Sequence, residues 1–277
     1  MWRGVLISVP LRLSAGAAGA SEQLHGAPRC CWKSGGRRRG GVSHLVALAG
    51  VAPVQQRRVL SAFLWRNPDQ QRLGDDCSSV CVQLLHSHSS FRVVLGDLIL
   101  HSGHGTEQYR NVAKFYVHPE WNFNSISSGF DIALLRLSSE ASVTAYVKPA
   151  PLPPFGEVLP HGSPCYITGY GSTSTGGGGV SRMRQAHLPV VDHQTCTSSG
   201  WWGSTVKTTM ICAGGGAASG CDGDFGGPLS CKVNNVWYVH GVASFVSGMG
   251  CNAPQKPTVF TRVSAYITWI NTVMSNP

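Results

Sequence analysis

From Phe91 to its end the chain alternates short apolar runs with turn-forming residues. Phe91-Arg92-Val93-Val94-Leu95-Gly96, Ile132-Ala133-Leu134-Leu135-Arg136-Leu137, Cys165-Tyr166-Ile167-Thr168-Gly169, Trp237-Tyr238-Val239-His240-Gly241-Val242 and Thr258-Val259-Phe260-Thr261-Arg262-Val263 each read as a strand, and Gly, Pro, Ser and Asn separate them. The glycine run Gly176 to Gly179 predicts a mobile surface loop. Near the end the period changes: Tyr266, Ile270 and Val273 recur at helical spacing, which predicts a helix over Ser264 to Met274 capped by Ser264. Many short strands followed by one terminal helix favour an all-β barrel or sandwich.

Residues 1–90 are written differently. Gly35 to Gly41 contains only Gly and Arg, Gln55-Gln56-Arg57-Arg58 follows, and strand alternation is hard to find. By composition this stretch reads as a disordered extension. Three segments result: 1–33, 34–90 and 91–277.

Composition refines this picture without overturning it. A chain of 277 residues has ample length to bury a core, as one large β domain or two small ones. The formal charge of +9 raises the question of nucleic acid or membrane. Its distribution answers it: residues 1–90 hold 11 Lys+Arg against 4 Asp+Glu, and residues 91–277 hold 11 against 9. The basicity belongs to one solvated stretch, densest at Arg37-Arg38-Arg39, so neither partner is expected. No apolar run reaches the ~18 residues of a membrane span. Ten cysteines with no C-x-x-C pair point to disulfides and an oxidising compartment rather than a zinc site. Met1 to Ala20, with Arg3, an apolar patch and a small-residue end, is signal-like, although Pro10 and Arg12 interrupt it. A secreted protein is the expectation.

The chemistry is concentrated in Gly223-Asp224-Phe225-Gly226-Gly227-Pro228. A Gly-Asp-X-Gly-Gly-Pro turn aims two backbone N–H groups at one point, here those of Gly223 and Phe225, and projects the X side chain toward the same place. With Ser219-Gly220-Cys221-Asp222 before it and Leu229-Ser230-Cys231 after it, the run resembles the chymotrypsin family, and within it the pancreatic elastases. Gly129-Phe130-Asp131-Ile132-Ala133-Leu134-Leu135, Cys165 to Gly171, Trp201 to Lys207 and Met210 to Gly215 carry the same resemblance, over roughly two-thirds of the chain.

The resemblance implies two antiparallel six-stranded β-barrels with the active site between them, a C-terminal helix, and here an incomplete first barrel. It matches Asp131 to the acid that orients a catalytic histidine, Phe225 to the nucleophile position and Gly223 to the oxyanion hole. It implies disulfides Cys165–Cys231, Cys196–Cys212 and Cys221–Cys251, and a specificity pocket near Ser219, Ser244, Val246 and Thr258, narrowed by the last two for small apolar side chains. Peptide or protein ligands are the implied partners of a monomer, with no cofactor required. Asp97 and Glu107 bracket a loop similar to the family's calcium loop, although Leu98, Ile99 and Leu100 offer only backbone oxygens.

The departures matter as much. Phenylalanine has no nucleophilic atom. The family's histidine would precede a cysteine upstream of Val93; His86 and His88 lie near there, and neither does. The activation junction whose freed amine would pair with Asp224 is also absent, which leaves that acid without an obvious partner. The two functions left are an endopeptidase by descent, damaged in this chain, and a non-catalytic pseudoprotease acting as a binding module. One reading explains the anomaly. If residues 34–81 are translated one base out of frame, Ser34 through Gly41 permits Arg-Val-Val-Gly-Gly-Glu-Glu-Ala. Leu45 through Pro53 and Leu64 through Cys77 likewise permit first-barrel strings of the family, in order.

Overall fold

The computed structural model describes residues 91–276 except 101, 102, 104 and 123, together with the strand segments 4–7, 48–51 and 59–66. Thirteen strands lie among these residues: β1 (Gly4–Ile7), β2 (Leu48–Val51), β3 (Val59–Arg66), β4 (Phe91–Leu95), β5 (Gln108–Val117), β6 (Ala133–Leu137), β7 (Cys165–Gly169), β8 (Arg184–His187), β9 (Val190–Val191), β10 (Met210–Ala213), β11 (Pro228–Val233), β12 (Val236–Phe245) and β13 (Thr258–Arg262). A one-turn helix α1 (His193–Cys196), a terminal helix α2 (Ile267–Ser275) and three short 3-10 turns complete the regular structure of the described residues.

The strands form two curled antiparallel sheets. The first has six strands in the order β1-β6-β5-β4-β3-β2, and the second has seven in the order β8-β7-β11-β12-β13-β10-β9. The second sheet exceeds the expected six because Val190 and Val191 pair with Ala213 and Cys212, adding a two-residue strand at its edge. Three segments before Phe91 also depart from the disordered reading. Arg66 to Ala62 of β3 pair with Phe91 to Leu95 of β4, and β2 pairs in turn with β3. The apolar runs in those segments are β-compatible, and β4 would otherwise expose a row of unpaired backbone groups. Gly4–Ile7, inside the signal-like stretch, lies along β6.

Each sheet closes over its own core. Val93, Leu95, Leu135, Leu137 and Val147 fill the first. Leu159, Cys165, Ile167, Leu188, Leu229 and Phe260 lead the second. A third cluster binds the halves together: Ile132 and Leu134 of the first pack with Val239, Val242, Val263, Tyr266 and Ile270 of the second and of the C-terminal segment. The terminal helix is shorter than expected. Val263–Ala265 forms a tight turn and α2 starts at Ile267. Ser264 does not cap it, because its hydroxyl donates to the Glu157 carbonyl at 2.5 Å. The glycine run lies exposed at the surface, as expected, and carries two contacts of its own: Gly177 N–H donates to Ser174 O, and Ser172 bridges Gly179.

Candidate active site

Asp131 lies where the two halves meet, just before β6, and its neighbour Ile132 enters the shared core. It is 1% exposed. The chain reaches it through Phe130, whose φ of 62° is unusual for a residue with a side chain, and whose N–H donates to the Tyr266 hydroxyl at 3.1 Å. The Phe130 ring stacks on His118 at 5.0 Å, and Tyr266 and Trp269 close the other sides of that imidazole. Burial lowers the pKa of His118, with Glu120 pulling the other way, and its Nδ1 accepts the Glu120 N–H. This histidine is an aromatic-cluster member that fixes the approach to Asp131.

Two bonds from the second half hold the acid. The Ser244 hydroxyl, on β12, donates to Asp131 Oδ2 at 2.6 Å, and the Thr261 hydroxyl, on β13, donates to its main-chain carbonyl at 2.7 Å. Ser244, expected in the pocket, therefore directs its oxygen at the acid. A short hydrogen bond to a buried carboxylate oxygen fixes its orientation. Neither hydroxyl was identifiable as Asp131's partner from the sequence, since 113 and 130 residues separate them from it. His86 and His88 lie outside the described residues.

The glycine-rich turn supplies the other element. Gly223 (φ 95°) and Gly226 (φ 83°) occupy left-handed backbone positions on either side of Asp224 and Phe225. Asp224 N–H donates to Cys221 O, Gly226 N–H to Ala243 O and Gly227 N–H to Asp224 O. The N–H groups of Gly223 and Phe225 have no acceptor among the described residues, and such a pair can receive developing negative charge on an oxygen. The Phe225 side chain, half-buried, stands at the same turn.

Asp224 has partners after all. Its Oδ1 accepts the Gly171 N–H at 3.0 Å and its Oδ2 the Cys221 N–H at 3.1 Å. Burial raises its pKa to about 6 against those two bonds, and the charge of Asp222 adds to the rise. The fit demands glycine opposite: a Cβ at Gly171 would fall 2.5 Å from the carboxyl carbon. This carboxylate borders a cavity of about 420 Å³ whose walls include Gly169, Ser174, Ala218, Ser219 and the Cys221–Cys251 disulfide.

Thr258 is buried and its Oγ1 accepts the Gly220 N–H at 2.8 Å, tying β13 to the turn that holds Ser219. Val246 and Ser219 are half-buried. Behind Val246, Phe245 meets Trp202 edge to face at 5.2 Å, and the indole N–H donates to the Pro257 carbonyl at 2.9 Å. The disulfides join Cys165 to Cys231, Cys196 to Cys212 and Cys221 to Cys251.

These features are matched by a known family. The family model described as Trypsin matches residues 80–270. The chain belongs to the trypsin family. It is 56% identical over 191 residues to chymotrypsin-like elastase family member 1 of Bos taurus, covering 69% of this chain and 72% of that protein. To the Rattus norvegicus protein of that name it is 57% identical over 190 residues, 68% of this chain and 71% of the relative. To proproteinase E of Bos taurus it is 51% identical over 191 residues, 68% and 76% of the two chains. It is thus a trypsin-like serine protease of the elastase type by kinship.

The loop that suggested calcium has other engagements in this elastase-type chain. Asp97 Oδ1 accepts the Ile99 N–H at 3.0 Å, and its carbonyl accepts the Tyr170 hydroxyl at 3.0 Å. The Leu98 carbonyl accepts the Met183 N–H. Burial pushes the Tyr170 phenol well above its ordinary range, and the Asp97 charge adds to this. Among the described residues no group of three metal-binding side chains includes Asp97 or Glu107. Residues 101, 102 and 104 of this loop lie outside the described residues.

Proposed function

We propose that this chain is an elastase-type serine endopeptidase by descent that, as written, does not cleave peptides. The observation that carries the reading is Phe225, a side chain with no nucleophilic atom, at the turn whose N–H pair stands ready for an oxyanion. In the reaction supported by the remaining parts, a hydroxyl at position 225 would attack the scissile carbonyl. A histidine held by Asp131 would take its proton and later deliver it to the leaving amine. The Gly223 and Phe225 N–H groups would receive the negative oxygen. Asp131, buried and fixed by Ser244, suits that orienting role. Ser219, Val246 and Thr258 would form a pocket for small apolar side chains. No cofactor enters this chemistry, and Asp97 and Glu107 would be the side chains to hold a calcium ion. Three disulfides in the second half support secretion, and peptide or protein ligands suit the proposed cleft of a chain we read as a monomer.

The test is hydrolysis of an alanine-rich peptide p-nitroanilide by the unaltered chain and by Phe225→Ser. Losing a nucleophile costs on the order of 10⁶ in kcat, so the unaltered chain should remain at baseline. Phe225→Ser should remain there too, because neither His86 nor His88 occupies the family's Ala-Ala-His-Cys context. Turnover by the unaltered chain would sink the proposal. We trace the anomalous stretch and the lost nucleophile to separate events in the gene: residues 34–81 read as a displaced frame, and Phe225 lies one base from a serine codon. Sequencing the transcript from Ser34 to Phe91 with no compatible shifted reading would end the first account, and the frame alone would not restore the histidine.

A second reading, a non-catalytic binding module, draws on the unengaged N–H pair and the Val246 and Thr258 positions, which persist without the nucleophile. Saturable calorimetric binding of a small apolar peptide, abolished by Val246→Arg, would favour it.

A further inference from the structure

Away from the cleft, the first sheet carries two cations where charge repulsion disfavours them. Lys114 on β5 stands directly opposite Arg136 on β6, and Tyr116 stands opposite Leu134. The intervening Phe115 and Leu135 turn into the first core, so strand alternation sends Lys114, Tyr116 and Arg136 to the other face. Like charges directly opposite on antiparallel strands destabilise the pair. Among the described residues no carboxylate forms an ion pair with either cation. On its far side Arg136 pairs with Gly4 of β1, which brings no side chain to cover it. Tyr116 packs its ring against the seam that Ile132 and Leu134 enter, and this fixes where its hydroxyl stands. The phenol oxygen is shielded from solvent and has no hydrogen-bond partner. Lys114 Nζ lies 4.4 Å from the centre of the Tyr116 ring, a contact that offsets part of one charge and supplies no anion. Burial raises the phenol pKa, yet Lys114 and Arg136 together bring it below its ordinary value. An ammonium, a guanidinium and a phenol are thus gathered with hydrogens to donate and no anionic acceptor.

We propose that Lys114, Arg136 and the Tyr116 hydroxyl form a binding site for a tetrahedral dianion, a phosphate or sulfate group. The donor set selects that class. Two positive charges match a dianion, and three donors from two strands suit a group with three free oxygens. A carboxylate offers one charge and two oxygens. Lys114 is exposed, so its flexible stem can turn outward to admit the anion. Arg136 is half-buried and the Tyr116 ring is held by the seam, so these two donors are placed beforehand. Binding also relieves the repulsion that the free protein carries across β5 and β6. The site needs neither a nucleophile nor a histidine, so it stands whether or not the chain cleaves peptides.

Calorimetric titration of the full chain with inorganic phosphate at pH 7.5, at ionic strength held constant with chloride, tests this. Saturable one-to-one binding is expected, with acetate about tenfold weaker or more. Lys114→Gln and Arg136→Gln should each weaken phosphate binding about tenfold or more, and Tyr116→Phe roughly threefold. Glycerol 2-phosphate binding as well as phosphate assigns the site to esterified groups, and its exclusion assigns it to the free ion. Thermal melting gives a second readout. Without phosphate at low ionic strength, Lys114→Gln should melt above the parent because the like-charge pair is gone, and saturating phosphate should reverse that order. Unchanged phosphate affinity in Lys114→Gln and Arg136→Gln overturns the proposal. So does acetate binding as tightly as phosphate, or a folded parent that shows no saturable binding.

Discussion

The two halves of this molecule follow one architectural rule and are secured in different ways. The second half takes all its strands from residues 165–262, carries all three disulfides found among the described residues, and buries Phe260 and Leu229 completely. The first half draws three of its six strands from the anomalous stretch before Phe91 and has no disulfide among its described residues. The candidate site is split across that asymmetry. The acid comes from the first half, and its orienting hydroxyls, the N–H pair and the pocket positions come from the second. The second half can thus keep its part of the candidate site in place whatever the first half does, because the two contribute different groups to the seam.

That contrast can be broken most forcefully in the core. Phe260→Ala removes a fully buried ring from the second half and should cost about 3–5 kcal/mol, read from chemical denaturation. If the first half is the weaker partner, its probes should unfold at lower denaturant than those of the second in this variant and in the parent alike. A single shared transition would show that the Ile132–Val239–Ile270 seam makes the halves one cooperative unit.

Asp224 gives the next effect, confined to the second half. Its folded pKa lies above its unfolded value, so it contributes stability below pH ~4 that is lost as pH rises through about 6. The loss by pH 7.5 should be on the order of 3 kcal/mol. Thermal melting between pH 4 and 7.5 should show this slope, and Asp224→Asn should flatten it. A melting temperature for Asp224→Asn that still falls over that window would rule out Asp224 as the source.

The smallest effect belongs to the seam itself. Ser244→Ala leaves the Asp131 carboxylate short of a charged hydrogen bond and should cost about 1–3 kcal/mol. Combined with Asp131→Asn in a double-mutant cycle, it should show a coupling of roughly 1 kcal/mol or more. Additive effects would mean that the 2.6 Å contact does not join the halves energetically.

Much of the second half was legible because its signals are local. The alternating runs at Cys165–Gly169 and Thr258–Arg262 became β7 and β13 with little adjustment, and the glycines of the 223–228 turn marked left-handed backbone directly. What escaped was set by distant contacts. β5 was missed because its exposed and half-buried positions carry Asn111, Lys114 and Arg110 among the apolar residues, blurring the period. Ser264 read as a helix cap because its type suits that role, yet a loop more than 100 residues away offered its hydroxyl a carbonyl. Asp224 looked unpartnered because backbone N–H groups leave no mark in a sequence.

By itself, then, the sequence determined the kind of protein this is. Cysteine positions, the Gly-Asp-X-Gly-Gly-Pro turn and the Asp131 motif specify an elastase-type scaffold, and Phe225 specifies the missing atom, since nucleophilicity is a property of the side chain alone. Only the tertiary structure decided which hydroxyls hold Asp131, what answers the charge of Asp224, and which cations surround the Tyr116 hydroxyl. Those are matters of which groups lose water together, and burial is created by the fold, not by any residue in isolation.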